Sequence, residues 1–441
     1  NEEKGAYGPY RQSNRQEIYH IFAKSLVEKG FAYPCFCSAE TLDEVRKAQE
    51  AEKKTTGYYG EYAHCRKLSL DEIKAGISEG RPYVLRLRSP GKEDGKVYFD
   101  DVIKGKIEMP ENTQDIVLLK TDGIPTYHFA HAVDDHLMGT THVVRGDEWI
   151  ASAPIHLQLF RLLGFKTPKY AHIAPLMKEE NGGKRKLSKR KDPEAAVSFY
   201  FEQGYPSDSV REYLLTLANS NYEEWHKVNK TASQDDFPFN LKKMSSSGAL
   251  FDLVKFDDVS KNVISAFSAD KIYQSIADWA QRHNPDFYKT FTANPEFSKH
   301  IFTIDRSGKN PRKDIAKWSE VPEYTSYFFA KPDTLDMPEN ISAEDIKAVI
   351  CEYANVYNEN DDKDAWFGGM KSICPKLGFC ENVKEYKQSP EAFKGHVGDV
   401  STVIRVAVTG RRNTPDLYEI MKLLGGKEVV SRLKAAAEKL S

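Results

Sequence analysis

The sequence predicts an α/β fold joined to an all-α one, and three observations carry that reading. Thr141-His-Val-Val144 reads as a short strand of the buried kind, followed by the polar turn Arg145-Gly-Asp-Glu-Trp149. A helix comes next, with Ile155, Leu159 and Leu162 at helical spacing and Gly164 to stop it. Strand, polar turn and helix make the unit of open parallel sheets, in which ligands bind beyond the carboxyl ends of the strands. The second observation is a basic run, Lys184-Arg-Lys-Leu-Ser-Lys-Arg-Lys191, behind Gly182 and Gly183. Six like charges cannot be buried together, so this segment meets water or an anion. The third is the helical spacing that dominates after Gly204 and is clearest in Leu417, Ile420, Met421 and Leu424.

Taken in order, Ser13-Asn-Arg-Gln16 has the form of a capping box, and Ile18, Ile21, Phe22 and Leu26 continue a helix to Gly30. Pro34-Cys-Phe-Cys37 leads into a second helix capped by Ser38. After it come the Gly/Tyr-rich loop Gly57 to His64 and then Cys65. Three thiolates, Cys35, Cys37 and Cys65, supply most of a tetrahedral zinc site, with Tyr62, His64 or water as a fourth ligand; three reduced structural cysteines are the alternative. Tyr83-Val-Leu-Arg-Leu-Arg88 alternates as a half-exposed strand should, and Val97 to Val102 and Asp115 to Leu119 are further strand candidates. Asp192-Pro193 reads as an N-cap and first position of a helix ended by Gly204. Thr414-Pro415 opens the helix that Gly425 closes.

At 441 residues the chain exceeds one ordinary core, and its formal charge of -2 means that any nucleic-acid binding rests on local patches. No apolar run approaches the roughly 20 residues of a membrane span. Six cysteines in so long a chain do not make a disulfide framework, which points to the cytoplasm. Asn1 begins no charged-then-apolar leader, so neither a natural start nor a secretory signal is expected.

Several segments, in order along nearly the whole chain, resemble the bacterial-type glutamyl-tRNA synthetases, a family of class I aminoacyl-tRNA synthetases. Gly8-Pro-Tyr-Arg-Gln-Ser13 is similar to the family's segment leading out of the first half of its nucleotide fold. Tyr127-His-Phe-Ala-His131 with Val133-Asp-Asp-His-Leu-Met138 resembles its amino-acid pocket, and Arg145 to Trp149 the adjoining strand end. Lys186-Leu-Ser-Lys-Arg190 is similar to the class I KMSKS loop. Ile404-Arg-Val-Ala-Val-Thr-Gly410 through Leu424-Gly425 resembles the anticodon-binding helices.

The resemblance implies a Rossmann-type catalytic fold with an α+β acceptor-stem insertion and a C-terminal helical anticodon domain. It divides the chain into residues 1–30 and 116–192 (catalytic fold), 31–115 (insertion), 193–300 (stem-contact helices) and 301–441 (anticodon domain). By position, Tyr127 and Arg145 hold glutamate's carboxylates, Trp149 walls the pocket, and His131 stands where the family has Asn. Glu148 lies towards the adenosine, Leu187, Ser188 and Arg190 line the ATP loop, and Lys186 and Lys189 stabilise the charge that develops on pyrophosphate. Arg405, Thr414, Pro415 and Leu417 fall on positions that contact anticodon bases. The implied reaction is activation of L-glutamate by ATP with Mg²⁺ and transfer to tRNA-Glu, or also to tRNA-Gln, by a monomer. Zinc on Cys35, Cys37 and Cys65 is implied too, although Lys67 stands where some members have His. The HIGH-type ATP motif is expected in a segment preceding Asn1, on the order of a hundred residues in all, so this chain alone is expected not to form adenylate. A noncatalytic tRNA-binding derivative is the competing reading. The retained Lys186 to Arg190 loop and the Tyr127 and Arg145 pair weigh against it. The helical C-terminal region weighs against a short paralogue acting on a modified tRNA base and against a glutaminyl enzyme with a β-barrel.

Overall fold

The computed structural model describes residues 3–306, 308 and 310–440. They fall into two units, one running to Lys186 and taking in Thr216–Leu250, the other made of Leu187–Leu215 and the chain from Phe251 onward.

The first unit contains α1 (Gln16–Glu28), β1 (Ala32–Cys35), α2 (Ala39–Ala51), α3 (Leu70–Ser78), β2 (Val84–Leu87), β3 (Lys96–Asp101), β4 (Gly105–Pro110) and β5 (Val117–Leu119). It continues with α4 (Tyr127–Leu137), β6 (His142–Gly146), α5 (Ala153–Leu163), β7 (Lys169–Ile173), β8 (Leu176–Glu180), β9 (Gly183–Lys186) and β10 (Ala249–Leu250). The sheet that matters most has the order β4-β3-β7-β6. Its strands β3, β7 and β6 run parallel, and β4 closes one edge as the antiparallel arm of a hairpin with β3. Two of these strands come from stretch 31–115 and two from stretch 116–192. A second sheet, β1-β2-β5, is antiparallel, and β10-β8-β9 makes a third. A core is built from Tyr19, Leu26, Leu87, Phe129, Val133, Leu159 and Phe160, the inward stripes of α1, α4 and α5 packing with β2 of the antiparallel sheet. Truncating one such side chain typically costs about 2–5 kcal/mol.

Local details depart from the sequence reading in several places. Helix α1 has no capping box: a 3₁₀ turn Gln12–Arg15 precedes it, and its N-terminal neighbour is Arg15, buried and ion-paired to Asp134 at 2.8 Å. A tertiary ion pair has taken over where a local cap was expected. Strand β2 is not half exposed, because it lies between β1 and β5 and both its faces are covered. Arg86 is buried there with its guanidinium 4.2 Å above the Tyr58 ring, and Arg88 sits 4.8 Å above Tyr33, so planar cations stacked on aromatic faces give a polar alternation inside the protein.

The basic run is also not one loop. Asn181 and Gly182 both have left-handed backbones, φ 53° and 77°, and form a tight turn of the kind that Asn-Gly favours, so Gly183–Lys186 becomes β9 paired with β8. Only Leu187 to Lys191 is loop. Finally, Asp192 does not cap a helix. Pro193–Ala195 is a 3₁₀ turn, the helix starts at Val197, and the Asp192 carboxylate accepts the Ser188 backbone N–H at 2.9 Å.

The second unit is helical. Ile264, Ile272, Phe291, Ile301, Trp318 and Phe328 form one cluster. A second joins the helices Ala343–Val356, Lys363–Leu377, Val397–Thr409, Leu417–Leu424 and Gly426–Lys439 through Val349, Met370, Val403, Leu417 and Leu433. Thr414 and Pro415 lie outside the helix they were expected to open: its N-cap is Asp416, whose carboxylate accepts the Glu419 N–H at 3.1 Å. No helix of the described residues is long and apolar enough to cross a membrane.

Candidate active site

Arg145 is the last side chain before the end of β6, and His172 is its register partner near the end of β7. Their neighbour Asp101 closes β3. Three carboxyl-terminal strand ends thus bring together an arginine, an imidazole and a carboxylate where parallel sheets place ligands. Arg145 Nε donates to His172 Nε2 at 3.0 Å, Nη1 to His156 Nδ1 at 3.0 Å, and Nη2 to the Trp149 carbonyl at 3.3 Å. Its guanidinium carbon lies 4.8 Å from the centre of the Tyr170 ring. Behind it, His172 Nδ1 is 2.7 Å from Asp101 Oδ2, and His156 Nε2 is 2.9 Å from His128 Nδ1.

Helix α4 supplies the other wall. Tyr127, at its start, is 47 % exposed and packs on Trp149 with ring centres 4.6 Å apart. It also stacks on His131 at 5.9 Å. His131 has both ring nitrogens engaged, Nδ1 with Asp135 at 2.6 Å and Nε2 with the Tyr170 hydroxyl at 3.0 Å. That makes it part of the wall. Burial pushes the imidazoles towards the neutral form: His156 falls to about 2 through burial first and then through His131 and Arg145, and His128 and His172 are lowered by burial as well. Tyr127, His131, Arg145 and Trp149 are therefore neighbours, as expected. His128, His156, His172, Tyr170 and Asp101 escape a reading of the sequence. Tyr170-Ala-His172 lies in the wrong place for the ATP motif, and His156 sits beside the apolar stripe of α5, where a satisfied core histidine is the ordinary reading.

Lys186, at the end of β9, has its ammonium 3.5 Å from Glu148 in the 3₁₀ turn after β6. The Glu148 carboxyl is lowered by its own backbone N–H and then by Lys186. In the second unit, Leu187 and Ser188 are half-buried while Lys189 and Arg190 are exposed. The Lys191 and Asp192 N–H groups both return to the Ser188 carbonyl, at 3.0 and 2.8 Å, so the loop is a closed turn that presents its cations outward.

Cys35, Cys37 and Cys65 do converge, with all three sulfurs within 4.8 Å of one another. The fourth group beside them is the Tyr58 hydroxyl, 3.5 Å from Cys35 and 3.2 Å from Cys37. Tyr62, an expected candidate, instead bonds Glu52 at 2.7 Å and Lys54 at 3.0 Å, and His64 is not in the cluster. The loop Gly57 to His64 holds three tyrosines, and spacing alone cannot choose among them. Thiol hydrogen bonds from Cys37 and Cys65 favour the thiolate at Cys35, and the bonds to Cys35 and Cys65 push the Cys37 thiol up.

In the second unit Arg405 donates to the Thr414 hydroxyl at 2.5 Å and to the Pro415 carbonyl at 2.9 Å. Thr414, Pro415 and Leu417 are buried, Leu417 within the helical core, so of the four expected anticodon contacts only Arg405 offers side-chain surface. Next to this turn is a cavity of about 760 Å³ whose lining includes Arg312, Lys363, Asp416 and Glu419.

Comparison with known proteins first defines the class. The family of tRNA synthetases class I (E and Q), catalytic domain, matches residues 2–257, and the anticodon binding domain family matches residues 383–437. Among individual proteins, the chain is 49 % identical over 440 residues to the glutamate–tRNA ligase of Clostridium perfringens (strain SM101 / Type A), covering 98 % of this chain and 80 % of that one. The enzyme of the same name from Sorangium cellulosum is 44 % identical over 449 residues, with 98 % and 79 % covered. The crystal structure of a glutamate tRNA ligase from Elizabethkingia meningosepticum in complex with its amino acid superposes with a TM-score of 0.80 at 25 % identity, covering 100 % of this chain and 86 % of that one. This chain belongs to the glutamate–tRNA ligase family.

Proposed function

We propose that this chain ligates L-glutamate to tRNA at the expense of ATP, with Arg145 and Tyr127 as the partners of glutamate's carboxylates. The observation that carries the reading is the state of Arg145. It is gripped by two imidazoles and a carbonyl, and among the described residues no carboxylate lies within ion-pair reach of it. Its charge is thus available to an anionic ligand, and its planar fork suits a carboxylate. Trp149 and His131 complete the wall. In the full-length protein, Arg145→Ala should raise the KM for glutamate in ATP–pyrophosphate exchange by about 100-fold, the usual scale for removing one member of a buried charged pair. An unchanged KM would overturn the assignment.

Glu148, Lys186, Leu187, Ser188, Lys189 and Arg190 then form the ATP side, with Lys186 and Lys189 meeting the Mg-bound triphosphate. Arg405 reads an anticodon base of tRNA-Glu, and Thr414, Pro415 and Leu417 act through the backbone they shape. The division at 30, 115, 192 and 300 follows the same reading, as do a monomeric state and a cytoplasmic setting. Cys35, Cys37 and Cys65 fit a structural zinc ion, with Tyr58 as the fourth ligand in place of Tyr62 or His64. Sulfurs on a tetrahedral zinc with bonds of about 2.3 Å stand roughly 3.8 Å apart, and Cys37 and Cys65 already lie at 3.5 Å. Zinc here would hold the insertion together and takes no part in the reaction.

A further inference from the structure

We infer that His172, His156 and Asp101 are positioning residues for Arg145: they fix its guanidinium with neutral acceptors and leave its positive charge uncompensated for the substrate. The inference rests on the reading of Arg145 as glutamate's partner. It starts from a property of arginine, whose guanidinium carries donors only. Each ring nitrogen that faces it must therefore present a lone pair, and this one fact sets two tautomers. His172 accepts at Nε2, so its proton is on Nδ1, where Asp101 Oδ2 receives it at 2.7 Å. His156 accepts at Nδ1, so its proton is on Nε2 and goes to His128 Nδ1 at 2.9 Å.

Asp101 is in turn held by its surroundings. Its Oδ1 accepts the Ile103 and Lys104 N–H groups, each at 2.9 Å, and Oδ2 accepts the His172 N–H at 3.0 Å. Both histidines and Asp101 are buried, the two rings completely. A carboxylate placed directly against Arg145 would orient it equally well, but would neutralise it and compete with the substrate. An imidazole between the carboxylate and the arginine transmits the orientation without the pairing. This is how second-layer partners fix the tautomer of a working histidine elsewhere.

The test exploits which atom each amide can imitate. An Asn side chain places its oxygen near the Nδ1 position of a histidine, and a Gln side chain reaches the Nε2 position. The acceptor for Arg145 is Nδ1 in His156 and Nε2 in His172, so the two sites should show opposite preferences. In full-length protein assayed by ATP–pyrophosphate exchange, His156→Asn and His172→Gln should stay within about threefold of the wild-type glutamate KM. His156→Gln and His172→Asn should raise it about tenfold or more, with the ATP KM little changed. A merely structural role would give no such crossed pattern. Asp101→Asn, isosteric and one residue removed from Arg145, offers a donor to His172 Nδ1 and so forces the wrong tautomer. It should raise the glutamate KM about tenfold with the ATP KM little changed, and it decides the matter if a histidine variant fails to fold. The same order of effects at both histidines, or a KM for Asp101→Asn within twofold of wild type, overturns the inference. If Arg145→Ala itself leaves the KM unchanged, the site reading falls instead. If Arg145→Ala raises it and the other variants do not, only the positioning role falls.

Discussion

Arg145 and Lys189 are two cations held in opposite ways, and the difference says what each can do. Arg145 is clamped by three partners and cannot move far. Lys189 is exposed on a closed turn and can reach a mobile ligand. Replacing Lys189 by Ala should lower glutamate-dependent exchange by about 10² to 10³, some 2.7–4 kcal/mol, the scale for a lost charge stabiliser. A solvated surface lysine would change stability by no more than about 0.5 kcal/mol. A rate within twofold of wild type would remove Lys189 from the site. At Arg405, Ala should narrow the preference for cognate tRNA over an anticodon-altered one; unchanged discrimination would exclude it as a reader. Residue identity makes Arg145, Trp149 and the lysines legible before any fold is known. His156, His172 and Asp101 are not legible, because they lie on three separate elements and mean nothing until the strands are laid side by side.

At the scale of elements, turns and caps decide how the chemistry is presented. The hairpin β8–β9 depends on Asn181 and Gly182, and at φ 77° an alanine in place of Gly182 would carry a left-handed penalty of about 1–2 kcal/mol. Gly182→Ala should therefore loosen the β8–β9 pairing from its turn end, seen as faster amide exchange from Gly183 to Lys186. Protection equal to wild type would count against this account. Asp416 caps Leu417–Leu424 and also pairs with Lys363 at 2.7 Å. Asp416→Ala should cost about 1 kcal/mol in a urea titration, within the 0.5–2 kcal/mol range of lost caps. The Asn-Gly signal is present in the sequence, but the density of charge behind it suggests a loop. The pairing of β9 with β8 shows that lysines can alternate along an edge strand while every ammonium remains in water.

For the whole molecule, two levers follow from buried groups. The first is pH. Burial lowers His156 to about 2 and depresses His128 and His172, whereas the unfolded imidazoles titrate near 6.5. Below about pH 6.5 the unfolded state therefore binds more protons than the folded one. The stability these imidazoles contribute is complete above that value and falls as the pH drops, for His156 over the whole range down to about 2, by up to about 1.4 kcal/mol per pH unit. Melting curves from pH 7 to 4.5 should show this decline, less steep in His156→Asn, and a flat profile would contradict it. The second lever is metal. Protein purified without chelator should carry one zinc per chain, and its removal should lower the melting temperature and leave the Cys35, Cys37 and Cys65 thiols reactive. Absence of stoichiometric zinc would end the metal assignment.

By itself the sequence determined the fold class, the family and the cations proposed to meet the substrates, because strand-turn-helix patterning and charged motifs are local and survive without coordinates. Only the tertiary structure decided what surrounds them. It set Arg145 against His172 through the register of β6 and β7, chose Tyr58 over Tyr62 beside the cysteines, and turned Leu417 into the core. The physical reason is common to all three. Local pattern specifies which backbone conformation a segment prefers, whereas the partner of a buried polar group is whichever complementary atom the packing brings within about 3 Å, and that choice is made by elements far apart in the chain.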